Sequence, residues 1–125
     1  MKVPANLKYT KDHEWARIEG AVAVVGITDY AQSQLGDVVY IDLPKVGDVV
    51  ARGDVIGTIE AVKTVADIYS PVSGEIVAVN SALKDASELV NKDPYGEGWI
   101  ASLKLSNSME LEALLAPADY EKLIS

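Results

Sequence analysis

The residue of this chain with the clearest chemical potential is Lys63, which stands between two apolar runs that favour β-structure. A valine precedes this lysine and a threonine-valine pair follows it. The two flanking runs would place Lys63 at the tip of a hairpin, although no Asn-Gly or Asp-Gly marks a turn there and propensity alone would not predict one. Most turn lysines are simply solvated, because lysine is rarely buried. A lysine at such a tip is also an amine that another protein can reach. This geometry suits covalent attachment of a carried group better than catalysis by the amine itself.

Three further residues could take part in chemistry. Glu60 lies three residues before Lys63 and Asp67 lies four residues after it, and solvation of a hairpin face is the simplest interpretation of both. His13 is the only histidine of the chain, and its ordinary pKa permits acid/base chemistry near neutral pH. Because no nucleophile or metal partner accompanies it, we expect instead a strand-edge residue beside Trp15.

Composition limits the classes of protein and site. The 125 residues predict one domain, 1–125, with a core that needs no disulfide or metal. No Cys is present, which excludes a disulfide framework and a Cys nucleophile, and a single His argues against a His-rich metal site. A net charge of −8 disfavours nucleic acid and anionic membranes as partners, whereas it fits docking onto basic patches of other proteins. We expect a cytoplasmic protein, since no apolar run approaches the roughly 20 residues of a membrane span and the start lacks a signal-peptide pattern. We also expect a monomer.

Short β-strands separated by turn residues dominate the first hundred residues. Thr28 is a suitable N-cap for a short helix over 29–35, which Gly36 would end. Gly47 and Gly74 are interpreted as turn glycines that need an unusual φ. The alternation and punctuation predict strands over 13–18, 21–25, 38–43, 55–62, 65–69, 75–80 and 99–105. Such an order is typical of a small barrel or sandwich built from hairpins.

The C-terminal part has a different character. Residues 81–93 show weak helical features and residues 93–98 form a loop. Two short helices are predicted after residue 107, one capped at Asn107 or Ser108 and one starting near Pro117. Three leucines, Leu111, Leu114 and Leu115, form an i, i+3, i+4 stripe that should pack on the sheet.

The lysine segment carries a resemblance to a known family. The stretch Glu60-Ala-Val-Lys63, followed by Tyr69-Ser-Pro-Val-Ser-Gly-Glu75, resembles the lipoyl-attachment segment of the glycine cleavage system H proteins. The similarity runs from Leu7 to Ile124. Five other stretches agree with the same family: His13–Trp15, Val25–Gln32, Leu35–Val39, Leu89–Asn91 and Asp93–Trp99.

The resemblance implies an all-β fold with short flanking helices, a flattened barrel or sandwich of the lipoyl/biotinyl type. Its lipoyl-type core would span about 20–105 and its C-terminal helices about 108–124. Lys63 would carry lipoic acid in amide linkage, and the chain would be a carrier and not an enzyme. Glu14 and Asp67 would shelter the loaded arm, and Glu60 would be recognised by the lipoate-attaching enzyme. The carrier would take an aminomethyl group from the P protein to the T protein, and the L protein would reoxidise the arm.

One departure and three alternatives accompany this interpretation. The family commonly has serine where this chain has Ala61, a change that removes one hydroxyl beside the lysine. A biotin carboxyl carrier shares the hairpin lysine but usually has Met on both sides, where this chain has Val62 and Thr64. A lipoyl domain of a 2-oxoacid dehydrogenase typically has Asp-Lys at the tip. Neither explains the agreement over 13–39 and 89–99, and an added role as a lipoate relay stays open.

Overall fold

The computed structural model describes all 125 residues, which form nine strands in two antiparallel sheets with short helices around them. The strands are β1 (Lys8–Tyr9), β2 (Glu14–Glu19), β3 (Val22–Ile27), β4 (Val38–Asp42), β5 (Val49–Val50), β6 (Val55–Ala61), β7 (Val65–Tyr69), β8 (Gly74–Val79) and β9 (Ala101–Leu105). The α-helices are α1 (Asp29–Leu35), α2 (Leu89–Lys92) and α3 (Pro117–Ile124), and 3₁₀ helices span Ser81–Lys84 and Ser108–Ala113. None of these helices has the length and apolar content needed to cross a bilayer.

The two sheets face each other across one apolar core. The larger sheet has the strand order β1-β2-β3-β9-β8-β5, and the smaller sheet has the order β4-β6-β7. Both sheets contribute side chains to a core cluster of 17 buried residues, among them Ala16 and Leu103 from the larger sheet and Ile59 and Ile68 from the smaller. The predicted all-β class with short helices and a sandwich-like architecture is therefore confirmed.

A second, smaller core lies on the outer face of the larger sheet. Because successive side chains of a strand point to opposite faces, Ala16 enters the main core while Trp15 packs in a cluster of five with Leu7, Tyr9, Val24 and Tyr120. Tyr9 and Tyr120 stack with their ring centroids 4.7 Å apart. This cluster fastens α3 to the sheet and places Trp15 and Glu14 on opposite faces of β2.

Local sequence signals predict several elements well. The bounds predicted for α1 and β7 agree with the structure, and the ends of most other strands shift by one or two residues. The hydroxyl of Thr28 accepts a hydrogen bond from the Ala31 amide at 3.2 Å, as expected of an N-cap. Gly36 follows the helix with φ +79°, a conformation that favours glycine.

Two expectations need correction, and two short strands were missed. Gly47 has the predicted positive φ, of +98°, but Gly74 is the first residue of β8 and does not. At Gly74 a Cβ would overlap the Lys104 carbonyl oxygen of the paired strand, so close approach and not φ requires glycine there. The leucine stripe packs on the two cores, but its segment is a 3₁₀ helix and not an α-helix, and Leu114 already has an extended backbone. The two-residue strands β1 and β5 were not predicted.

Candidate functional site

Lys63 is exposed in the three-residue loop that joins β6 to β7. The strands leading to it pair from Val55 and Tyr69, through a register shift between Val55 and Gly57, up to Glu60 and Val65. Beyond that pair, the Ala61 amide donates to the Thr64 carbonyl at 2.9 Å and closes the loop. The predicted lysine at a hairpin tip is thus present although the loop lacks the Asn-Gly or Asp-Gly signal of tight hairpins.

The loop is also attached to the body of the protein beside it. The Val62 amide donates to the Asp37 carbonyl at 2.9 Å, which ties the loop to the junction between α1 and β4. Gly36 of the same junction lies against the aliphatic stem of Lys63, where a methyl group would stand 3.3 Å from Lys63 Cδ. The loop backbone and the first part of the Lys63 side chain are therefore held on one side, and the amine projects beyond them.

Asn91, in α2, holds that junction in place. Its Nδ2 donates to the Gly36 carbonyl at 2.9 Å and to the side-chain oxygen of Gln32 at 3.1 Å, and its Oδ1 accepts from the Val38 amide at 2.8 Å. A single amide side chain thus joins the end of α1 to the start of β4, on both sides of Asp37, to which the lysine loop is bonded. The sequence motif that contains Asn91 gave no sign of this role.

Glu14 is buried between the two sheets, with 3% of its surface exposed. One carboxylate oxygen accepts a hydrogen bond from the Thr10 hydroxyl at 2.7 Å, and the other accepts from the Tyr69 amide at 3.2 Å. Because Tyr69 ends the second strand of the lysine hairpin, this carboxylate links the two sheets at the base of that hairpin. Burial outweighs both hydrogen bonds and raises the pKa of Glu14 to about 7.

Glu14 and Asp67 line one cleft of about 300 Å³. Asp67 is exposed and belongs to β7, opposite Thr58 of β6. The apolar part of the wall includes Ile27, Leu35 and Ile59. Since Leu35 immediately precedes Gly36, the cleft opens next to the stem of Lys63, and the structure brings the predicted sheltering pair together there.

Glu60 lies elsewhere. It is exposed on β6 and pairs in register with Tyr40 on one side and Val65 on the other. It does not line the cleft. Its carboxylate is therefore accessible from outside, close to the lysine loop, and separate from the group of residues around Glu14.

His13 does not occupy the expected strand edge beside Trp15. It precedes β2 with a positive φ of 69°, a conformation that histidine adopts more readily than most residues. Its ring packs 4.7 Å from that of Tyr30 and lines the same cleft as Glu14. Its Nδ1 lies 2.9 Å from the hydroxyl of Tyr120, a residue 107 positions away that no local sequence signal connects to it. Burial lowers the pKa of His13.

A second cavity, of about 380 Å³, lies on the other side of Glu14. Lys11, Arg52 and Tyr69 line it, together with Leu114 and Leu115. Lys63 borders neither cavity, but Asp67 of the lysine hairpin and Leu35, the neighbour of Gly36, line only the smaller one. The smaller cleft is therefore the one whose position relates it to the lysine.

Comparison with known proteins agrees with this geometry. Residues 7–125 match the family model described as glycine cleavage H-protein. The chain belongs to the glycine cleavage H-protein family. The glycine cleavage system H protein of Chlorobaculum parvum is 59% identical over 126 residues, covering 99% of this chain and 98% of that protein. The one of Bacteroides fragilis is 53% identical over 125 residues, covering 100% and 99%.

A solved structure supports the same relationship at the level of the fold. The crystal structure of a glycine cleavage system H protein from Mycobacterium marinum superposes with a TM-score of 0.86 at 39% identity, covering 96% of this chain and 97% of that one. The family predicted from the lysine segment is therefore confirmed, and membership assigns the chain to the glycine cleavage system.

Proposed function

We propose that this chain is the lipoylated carrier of a glycine cleavage system, with lipoate in amide linkage on Lys63. The observation that supports it most is the exposed loop that holds Lys63 beside a cleft lined by two carboxylates. The amine is accessible to an attaching enzyme, and the cleft lies within reach of a group bound to it. When attached, lipoate supplies the dithiolane that takes up and releases the aminomethyl group.

The cleft residues would bind that cargo and exclude water from it. An aminomethyl amine is cationic near neutral pH, and a carboxylate accepts a charge-assisted hydrogen bond from such a group. Glu14 faces the cleft from the buried end and Asp67 from the exposed end. A bound cation would favour the ionised form of Glu14 and thereby lower the pKa that burial has raised.

The chain itself would be a non-catalytic carrier in this proposal. The P protein would load it, the T protein would unload it and the L protein would reoxidise the arm. The exposed Glu60 would be recognised by the lipoate-attaching enzyme, because it lies near the loop and outside the cleft. No specific observation favours biotin in place of lipoate.

Intact mass spectrometry of the protein purified from its native source tests the attachment. A lipoyl increment is expected, and it should vanish in Lys63→Arg, which keeps the charge but offers no acylable amine. Lys45→Arg is the matched control, since Lys45 is also an exposed turn lysine, and it should keep the increment. A biotin increment, or a lipoyl increment that persists in Lys63→Arg, would contradict the proposal.

Release of formaldehyde from the loaded carrier tests the cleft. Glu14→Gln and Asp67→Asn remove charge with little change of shape and should each speed that release by about tenfold or more, as expected when a charge-assisted hydrogen bond is lost. Glu60→Gln should leave the rate unchanged, because Glu60 lies outside the cleft. Equal rates in all four proteins would argue against sheltering by Glu14 and Asp67.

A further inference from the structure

Three polar side chains form a hydrogen-bonded chain that leads from the buried second core to the cleft. The Thr28 hydroxyl lies 2.7 Å from the Tyr120 hydroxyl, which lies 2.9 Å from His13 Nδ1. Thr28 and Tyr120 are both completely buried. The hydroxyl groups of Thr28 and Tyr120 therefore have to find their hydrogen-bond partners within this series of side chains, since buried polar groups seldom lack a partner.

Counting donors fixes the direction of every bond. The Thr28 oxygen has two polar neighbours, the Ala31 amide, which can only donate to it, and the Tyr120 hydroxyl. The Thr28 proton must therefore go to the Tyr120 oxygen. Tyr120 has one proton of its own, and its remaining partner is His13 Nδ1, so Tyr120 donates to that nitrogen. Nδ1 is thus an acceptor, and the proton of the neutral imidazole resides on Nε2.

The other ring nitrogen, Nε2, is in a different situation. His13 Nε2 has no hydrogen-bond partner within the protein. Since every buried side-chain nitrogen and oxygen of the structure has a partner, Nε2 is accessible to solvent. His13 lines the cleft shared by Glu14 and Asp67, so this accessible N–H belongs to a side chain that a group held in the cleft can contact. Burial lowers the pKa of His13 and so favours the neutral form that this count requires.

We infer that His13 is a binding residue of the cleft, set by Tyr120 and Thr28 as the Nε2–H tautomer, and that this N–H donates to an acceptor atom of the arm attached at Lys63. This inference rests on the proposed function. The two carboxylates can only accept hydrogen bonds, and would do so from the cationic amine. The Nε2–H of His13 adds a hydrogen-bond donor for the uncharged part of the arm. The acceptor is the arm's amide oxygen or one of its sulfurs. Tyr120 and Thr28 are positioning residues that act through His13.

The single histidine makes the tautomer directly observable. Long-range ¹H–¹⁵N correlation NMR of the tag-free, ¹⁵N-labelled protein at about pH 8, above the ordinary histidine pKa, would show one imidazole only. We expect a pyridine-type shift at Nδ1 and a pyrrole-type shift at Nε2, as for one fixed tautomer. Averaged shifts like those of a free imidazole, or the reverse assignment, would overturn the inference.

Two substitutions test the positioning chain. Tyr120→Phe keeps the stacking with Tyr9 but removes the donor to Nδ1, and it should move both nitrogen shifts toward the averaged values of a free imidazole. Thr28→Ser keeps the hydroxyl and the cap, and it should keep the fixed tautomer. Far-UV circular dichroism shows whether each variant is folded. A folded Tyr120→Phe protein with unchanged imidazole shifts would contradict the role given to Tyr120.

Three forms of the protein test the binding step: unmodified, octanoylated at Lys63 and lipoylated at Lys63, each verified by intact mass. We expect the Nε2 proton to shift downfield when an arm is present. A shift with both arms identifies the amide oxygen as acceptor, whereas a shift with the lipoyl arm alone identifies sulfur. No shift in samples of verified mass would overturn this inference and leave the attachment at Lys63 standing; failure of the attachment would appear in the mass itself.

Discussion

The tip of the lysine hairpin and the wall of the neighbouring cleft differ sharply although they share two strands. At the tip, Val62 and Val65 expose 72% and 61% of their surfaces. At the wall, Glu14 is buried and both of its carboxylate oxygens are hydrogen-bonded. Behind the wall, the buried hydroxyls of Thr28 and Tyr120 bond to each other, and that of Tyr120 also bonds to His13. The chain thus keeps the loop of Lys63 accessible and the buried part of the cleft wall fixed.

This difference implies that stability and function separate along one hairpin. Substitutions at the tip should change what enzymes recognise and leave the free energy of unfolding nearly unchanged. Substitutions at the wall should change both. Substitutions that range from the buried cleft wall to the exposed tip test this separation.

The largest effect is expected from Ile59→Ala. Ile59 has 1% of its surface exposed, belongs to the main core and lines the cleft. Truncation should lower the free energy of unfolding by about 2–5 kcal/mol, because transfer and cavity terms add. Urea denaturation measures this loss. A loss below about 1 kcal/mol would mean that the wall is not rigidly packed.

The second prediction concerns pH and Glu14. Its pKa is about 7 in the folded protein, above the ordinary value of 4.5, so the folded state binds more protons than the unfolded state between these values. Stability should therefore be greatest below about pH 4.5 with respect to this group and fall as pH rises toward 7, by about 3 kcal/mol in total.

Urea titrations of the wild type and Glu14→Gln across this pH range isolate that contribution. The difference between the two proteins should change with pH in the stated direction. His13 has a lowered pKa and the opposite sign, but it is present in both proteins and cancels in the difference. A difference that stays constant from pH 4.5 to 7 would show that Glu14 has an ordinary pKa.

Asn91→Ala should have an intermediate effect. It removes three hydrogen bonds that join the end of α1 to the start of β4, and should cost about 2–3 kcal/mol at about 1 kcal/mol for each bond. Increased amide hydrogen exchange at Val62 should accompany it, because Val62 donates to Asp37 at that junction. Unchanged exchange at Val62 would show that Asn91 does not hold the loop.

The smallest effect is expected from Val62→Ala, which serves as the counterpart of Ile59→Ala at the tip. Because Val62 is mostly exposed, the free energy of unfolding should change by less than about 0.5 kcal/mol. Under the proposed function, the extent of lipoylation at Lys63 would be the more sensitive measurement for this variant. A large loss of stability would remove the distinction between tip and wall.

Sequence patterns predict the parts of this molecule that depend on near neighbours. The alternation around Lys63, the Thr28 cap and the Gly36 end all rest on residues within one element, and the structure has them. The wall rests on partners far apart in the chain: Glu14 and Tyr69 are 55 residues apart, and His13 and Tyr120 are 107 apart. The hydrophobic periodicity of a sequence does not indicate which distant residues will pair. Family resemblance supplied Glu14 and Asp67, whereas nothing in the sequence indicated Tyr120 or Asn91.

The hydrogen bond from Val62 to Asp37 fixes the origin of any arm attached at Lys63. A short flexible tether with a fixed origin keeps its free end at an effective concentration in the millimolar range throughout its reach. A cleft within that reach needs a dissociation constant of only about 1 mM to be occupied half of the time. Under the proposed function, a cleft of that affinity would protect the cargo and still yield it to a docked enzyme, without a separate step to force the arm out.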